Sequence, residues 1–492
     1  MAETTRSALP KGFRSAEQGW PELHRIPHPP HRLPLLGDVL GASRTRPLQD
    51  SVRYARRLGP IFRRKAFGKE FVFVWGADLT ADLADETRFA KHVGLGIANL
   101  RPVVGDALFT AYNHEPNWQL AHDVLAPGFN REAMEGYHSM MLDVAGRLTD
   151  HWDRAAGAGR TVDVPGDMTK LTLETIARTG FGHDFGSFER SRPHPFVTAM
   201  VGTLAHAQRL NTVPAPFLLR RSARRNEADI AYLNHTVDDL VRARRTTSGD
   251  GDLLDRMLET AHPETGERLS AENVRRQVIT FLVAGHETTS GALSFALYYL
   301  ARHPDVAARA RAEVDRVWGE ADLPGYEQVA KLRYVRRVLD ESLRLWPTAP
   351  AFAREAREDT VLAGEHPMRR GAWALVLTPM LHRDPEVWGA DAERFDPDRF
   401  EPKAVRSRPP HTFKPWGTGA RACIGRQFAL HEATLVLGLL LRRYALLTDP
   451  AYRLRVTERL TLMPEGLRMG LERRAAAEVG SQQRCPVGEA GD

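Results

Sequence analysis

Cysteine is nearly absent: Cys423 and Cys485 are the only two in 492 residues. So few thiols exclude a disulfide-built secreted scaffold and fit a reducing, cytoplasmic setting, while leaving one thiol available for chemistry. Long hydrophobic runs are missing as well. Residues 1–20 carry charges and no apolar export-signal core. The longest uncharged stretch beside an apolar helix, Thr288 to Ala301, is well short of the roughly 20 residues that span a bilayer, so no membrane anchor is expected. No sign of charge dominates: 68 Lys and Arg face 62 Asp and Glu. A surplus that small and dispersed does not make the concentrated basic face of a nucleic-acid binder. Internal repeats and flexible interior linkers are lacking, so one large domain is expected from a chain with 42% hydrophobic residues.

What is present is mostly helical periodicity. Ala133 to Ala155, Met168 to Thr179, His194 to Asn211, Ala223 to Thr246, Ala271 to Arg302, Asp305 to Trp318 and Gln328 to Leu345 carry apolar residues at helical spacing. Ile61 to Lys65 and Glu70 to Trp75 read as a β-hairpin with Phe71, Phe73 and Trp75 on one face. Trp373 to Thr378 adds a strand. A final helix from Gly425 to Tyr444, apolar almost all round, belongs in a core. The fold class is therefore mainly α with a small β region. Residues 1–30, rich in Pro, His and Arg, are expected to be a flexible N-terminal segment, 31–472 the domain, and 473–492 a flexible tail holding Cys485.

The strongest local signal is Trp416-Gly-Thr-Gly-Ala-Arg-Ala-Cys-Ile-Gly425. A lone Cys sits in a glycine-punctuated loop that opens onto the buried helix. Gly417, Gly419 and Gly425 allow tight turns and close approach to a flat cofactor. Backbone N–H groups and the helix N-terminus favour negative charge on sulfur, and Arg421 offers a cation for an acidic cofactor edge. A buried structural Cys is the alternative; a zinc site is disfavoured because no second Cys or His stands at ligand spacing. The segment resembles the haem-binding loop of the cytochrome P450 family. That resemblance implies one haem-centred domain, haem b (iron protoporphyrin IX) as cofactor, and Cys423 as the axial thiolate and metal ligand. Trp416 departs from the Phe usual in the family and is expected to tune the iron through packing and an indole N–H near sulfur.

Within Ala271 to Arg302, Ala284-Gly-His-Glu-Thr-Thr289 puts an acid and two hydroxyls into a buried span. Thr288 can bond back to the Ala284 carbonyl and bend the helix, and Gly285 leaves room for O₂ or water. Glu287 and Thr288 then form an acid–alcohol pair able to relay protons; a locally satisfied Thr and a Glu paired with an Arg is the plainer alternative. The segment is similar to the family's oxygen-activation motif, which implies catalytic roles for Thr288 and Glu287. Glu341 and Arg344 lie three apart on one helix face, a weak pattern repeated at Glu272/Arg275 and Glu313/Arg316. The resemblance joins the first pair to Arg399 in a structural salt-bridge network. It also matches Trp118 and His122, with Arg421 and Arg354, to positions that bind haem propionates, a surface Trp/His pair being the alternative.

From about His31 to Leu471 the chain is similar to the haem domain of bacterial self-sufficient fatty-acid hydroxylases. This implies a monooxygenase acting on a fatty acid or acyl chain; a natural-product tailoring oxygenase acting on another apolar small molecule is the alternative within the class. A peroxide-driven enzyme and a haem sensor fit the intact Glu287/Thr288 pair less well. Lys69 matches the carboxylate-binding position and Phe109 the one that steers the chain end. Phe73 stands where a Tyr hydroxyl is usual, Val104 fills a pocket position usually held by Ala, and Ala284 completes the substrate wall. Too few residues follow Cys423 for a flavin reductase, so electrons are expected from a separate ferredoxin or flavodoxin with its NAD(P)H reductase. Arg406, Arg408 and Arg426 could receive an acidic partner or be ordinary solvated charges.

Overall fold

The computed structural model describes residues 15–474 except 35, 41, 42, 44, 191, 214, 215 and 247–250. Apolar residues at helical spacing give, in chain order, α1 (Pro47–Leu58), α2 (Asn117–Leu125), α3 (Arg131–Gly157), α4 (Val164–Phe181), α5 (Pro195–Thr212) and α6 (Arg220–Arg244). They are followed by α7 (Ala271–Arg302), α8 (Pro304–Trp318), α9 (Arg333–Leu345) and α10 (Arg426–Arg443). Local chemistry marks the ends: Asn130 accepts from the Ala133 amide at the start of α3, and Ser270 from the Asn273 amide at the start of α7. The helix expected over Gln328–Leu345 divides, because Glu313 of α8 accepts the amides of Tyr334 and Val335 and thereby caps α9 from another element. The helix α10 is buried from Phe428 to Leu441 apart from Ala429 and His431, as its apolar sequence requires.

The strands β1 (Ile61–Ala66), β2 (Lys69–Val74), β3 (Phe89–His92), β4 (Ala351–Ala356) and β5 (Trp373–Leu377) form one sheet in the order β1-β2-β5-β4-β3. Within it β1 and β2 are the expected antiparallel hairpin, and β2 runs parallel to β5. Cross-strand partners share a face, so Phe62 lies opposite Phe73, Arg64 opposite Phe71, and Ala66 opposite Lys69. That face packs on α1: Phe62 and Phe73 stack at 5.1 Å, with Phe71, Trp75, Val52 and Tyr54 around them. A two-stranded ribbon, β6 (Val456–Glu458) with β7 (Leu462–Pro464), brings its turn against α7 and the start of α1.

The flexible segment expected over residues 1–30 is corrected for residues 15–30. A helical turn at Ala16–Gly19 carries a Ser15/Gln18 capping box, and Trp20, Leu23 and Ile26 are buried against the sheet. The Trp20 indole N–H donates to the Trp373 carbonyl at 3.2 Å. Three buried apolar anchors, each worth about 1.5–3 kcal/mol, offset the entropy of ordering a Pro-rich stretch of chain. At the other end, Arg473 still pairs in a strand and Arg474 donates to the Arg443 carbonyl. Residues 473 and 474 of the expected tail are therefore ordered, and Cys485 and the remainder lie outside the described residues.

Candidate active site

The Cys loop is built by backbone turns. Gly417 and Gly419 have φ of +75° and +69°, a region L side chains rarely adopt. A Cβ at Gly419 would also fall on the Glu86 carboxylate. Gly425, at φ −81°, needs no such freedom, so the reading of three turn glycines holds for two. The Cys423 amide donates to the Trp416 carbonyl at 2.9 Å. The Cys423 side chain keeps accessible surface, yet protein atoms surround it, so it opens onto the interior. Burial pushes its thiol up, and the Gly425 N–H and Arg426 act in the opposite direction. Without a cation on sulfur the neutral thiol is favoured; a bound metal reverses that balance. Among the described residues no hydrogen bond joins the Trp416 indole to the sulfur, so its role in the loop is packing and the carbonyl that receives Cys423.

Two anchors of this loop escaped sequence reasoning. Glu86, in the turn before β3, accepts the Ala420 amide on both carboxylate oxygens at 3.0 Å. His382, fully buried, accepts the Lys414 amide on Nε2 at 2.8 Å, while burial pushes its imidazole down to about 3, so it stays a neutral acceptor. The His382 carbonyl in turn receives Arg344 Nη1 at 2.9 Å. Arg344 grips Glu341 through two bonds of 2.6 and 2.7 Å and donates to the Ala392 and Arg394 carbonyls; Arg399 Nε lies 3.7 Å from Glu341. The Glu341–Arg344–Arg399 network thus exists, and through His382 it reaches the Cys loop. The Glu272/Arg275 and Glu313/Arg316 motifs do not form such pairs: Arg275 pairs with Asp238, and Glu313 caps α9.

An acidic cofactor edge finds cations here. Arg421 donates to the Ala111 carbonyl at 2.8 Å and lies 4.7 Å over the Trp118 ring, while its buried Nε has no partner. Lys91 of β3, also missed from sequence, is buried, donates to the Phe109 carbonyl at 2.7 Å, and is pushed down to about 7 by burial and by Arg421. Two cations pressed together with an orphaned guanidinium N–H fit the paired propionates of a haem. Trp118 stacks on His122 at 5.0 Å beside them, as one helix turn predicts. Arg354 is anchored in the sheet, two of its three nitrogens donating to the Leu83 and Phe89 carbonyls, and its expected contact with a propionate rests on the third.

Opposite the loop, α7 runs unbroken, and Thr288 Oγ1 donates to the Ala284 carbonyl at 2.8 Å, the back-bond expected. Ala284 is exposed and Thr288 half-buried on a helix otherwise deep in the core. Phe129, packed on Phe281 of α7 and within 3.8 Å of where a Gly425 Cβ would stand, links the two sides. Gly285 does not make room for O₂: a Cβ there would lie 3.2 Å from Ile176, so its role is close contact of α7 with α4. Glu287 turns away from Thr288 by the roughly 100° between neighbours on a helix. Its carboxylate accepts from Thr461 Oγ1 at 3.0 Å and lies 3.7 Å from Arg459.

A cavity of about 520 Å³ runs between the hairpin, α1, α5 and the β6–β7 turn. Of the five residues expected to meet substrate, Phe73 lines it. Lys69 is not among the lining residues, although its cross-strand partner Ala66 is. Val104 is buried in the helical core, Phe109 packs under Lys91, and Ala284 sits on α7. Two cations stand on the cavity wall, Arg459 of the β6–β7 turn and Arg64, the latter held by the Pro47 carbonyl at 3.0 Å and Ser51 Oγ at 2.8 Å, with its buried Nε unpartnered. Burial pushes its guanidinium down. Its signal in the sequence is the Arg63-Arg64 pair in a strand facing aromatic residues. Arg408, one of the three candidate docking arginines, lies 4.3 Å over the Trp388 ring and is thus tucked away, whereas Arg406 and Arg426 are exposed.

Comparison with known proteins agrees with this geometry. The cytochrome P450 family model matches residues 27–469. The chain is 47% identical over 447 residues to a bifunctional cytochrome P450/NADPH–P450 reductase of Bacillus cereus, covering 89% of this chain and 41% of that protein. A protein of the same description from Bacillus subtilis is 46% identical over 438 residues, 88% of this chain and 41% of its own length. A self-sufficient cytochrome P450 monooxygenase of Exserohilum turcicum is 38% identical over 454 residues, 91% and 42% respectively. The chain spans about two fifths of the length of these relatives. Among the described residues no helix is long and apolar enough to cross a membrane. A glycine-turned Cys loop, a Thr-bearing helix linked to it through Phe129, cations that fit propionates, and this similarity lead to one conclusion: the chain belongs to the cytochrome P450 family, with haem as its cofactor.

Proposed function

We propose that the chain is a cytoplasmic haem-thiolate monooxygenase that hydroxylates unactivated C–H bonds of a carboxylate-ended acyl chain. Haem held through Cys423 supplies O₂ activation, with electrons drawn from NAD(P)H through a ferredoxin- or flavodoxin-type carrier and its reductase. The relatives' descriptions, which pair a P450 with an NADPH–P450 reductase, support NADPH as the electron source. Arg421, Lys91, Trp118 and His122 bind and orient the propionate edge. Glu86 and His382 hold the loop. Thr288 keeps its own O–H in the Ala284 bond, so its oxygen lone pairs are free to receive a hydrogen bond at the reacting face, and Glu287 is the carboxylate that carries protons from behind it. The apolar cavity walls exclude water from the chain.

The observation that carries the substrate reading is Arg64, on the wall of a cavity lined mainly by apolar residues, with Asp38, Glu458 and Arg459 also on the wall: its buried Nε has no partner, and no ion pair to a carboxylate joins it among the described residues. Arg64 anchors the carboxylate, its guanidinium held in place by the Pro47 carbonyl and Ser51 Oγ, with Lys69 contributing at longer range. Spectral titration with saturated fatty acids and with their methyl esters tests this. Wild type should favour the acid, and Arg64→Met should weaken acid binding about 10- to 100-fold, the loss of a charged hydrogen bond of about 1.5–3 kcal/mol, leaving ester binding unchanged. Equal binding of acid and ester by wild type would refute carboxylate anchoring and favour a neutral apolar molecule.

A further inference from the structure

The turn between β6 and β7 joins three parts of the molecule. Glu458 accepts the Leu48 and Gln49 amides at 2.8 and 3.0 Å and so caps α1 across the cavity mouth. Gln208 of α5 donates to the Glu458 carbonyl at 3.1 Å. One residue on, Arg459 lies 3.7 Å from Glu287, and Thr461 donates to the same carboxylate. Arg459 is 44% exposed and lines the cavity, whereas the Glu287 side chain is 6% exposed.

We propose that Arg459 is the positioning residue for Glu287: it holds the carboxylate at the cavity edge, where it meets water, and sets how often it swings towards Thr288. The proposal rests on the reading of Glu287 as a proton carrier. Glu287 and Thr288 share no hydrogen bond among the described residues; one is committed to Thr461, the other to Ala284. A relay therefore needs Glu287 to leave one site and reach another. The guanidinium cannot release a proton near neutral pH, so water beside it does. Glu287 gains one proton there and yields one on the Thr288 side, which leaves its charge as it began. His286, the other titratable group beside Glu287, is buried with Nδ1 against the Leu282 carbonyl, and burial pushes it down, so it stays neutral and does not compete for the carboxylate.

The test uses the haem-loaded chain with a saturating electron donor. Arg459→Gln should lower product formed per NADPH consumed about two- to fivefold, the range a half-exposed ion pair controls, with peroxide making up the difference and a larger solvent isotope effect. Arg459→Lys should restore most of the coupling. A crystal structure of Arg459→Gln should show Glu287 divided between Thr461 and a second rotamer, with the melting temperature unchanged. If Glu287→Gln changes coupling but Arg459→Gln changes neither coupling nor the Glu287 rotamer, the proposal is overturned. If Glu287→Gln itself leaves coupling and isotope effect unchanged, the proton-carrier reading fails and takes the proposal with it.

Discussion

Glu432 offers a sharp test of the buried electrostatics. It sits on α10 at 1% exposure, and neither carboxylate oxygen has a hydrogen-bond partner. Thr175, facing it from α4, gives its hydroxyl to the Leu171 carbonyl at 3.0 Å and offers only slight relief. Burial pushes the Glu432 carboxyl from 4.5 up to about 8. The folded chain therefore keeps a proton that the unfolded chain releases above pH 4.5. Stability from this group is full below about 4.5, falls as pH rises, and levels off above about 8. At 1.36 kcal/mol per pH unit, the loss across that window is on the order of 4–5 kcal/mol. With an unfolding entropy of about 2.1 cal/mol/K per residue, a chain of this length moves by about 1 °C per kcal/mol. The gap in melting temperature between Glu432→Gln and wild type should thus widen in favour of the variant by about 4–5 °C from about pH 5 to about pH 9. Other titrating groups cancel in that difference. A gap constant to within about 1 °C would refute the buried neutral acid.

Two shorter predictions concern the Cys loop and its support. Arg344→Met strands Glu341 and the three carbonyls Arg344 serves, so it should destabilise by about 3–5 kcal/mol, read as a lower urea midpoint and a smaller haem-loaded fraction. Glu341→Gln, which leaves a neutral partner for the guanidinium, should cost less. Trp416→Phe should leave the haem midpoint potential unchanged within the error of potentiometry, because no indole bond reaches sulfur; a clear shift would restore a tuning role for that ring.

Much of the site was legible because it is local. The Cys loop, the Thr288 back-bond to Ala284 and the Trp118/His122 stack each depend on residues within one turn or one loop, and spacing alone specifies them. What escaped came from far along the chain. Glu86 holds a loop that lies hundreds of positions away, and Lys91 and His382 likewise act on distant segments; each looks like an ordinary charged or aromatic residue in its own stretch. Glu287 shows the difference most clearly: next to Thr288 in sequence, it faces Thr461 and Arg459 in space.

The sequence by itself determined the helical class, the glycine turns of the Cys423 loop and the Thr288 back-bond on α7, since helical period, turn glycines and a back-bond are short-range consequences of residue type. Only the tertiary structure decided that Glu341/Arg344, and not Glu272/Arg275 or Glu313/Arg316, is the buried network, that Gly285 serves packing against Ile176, and that Arg64 rather than Lys69 lines the cavity. Those outcomes depend on what a side chain meets once distant elements pack, and burial, not spacing, then sets whether a charge is paired, neutral or waiting for a ligand.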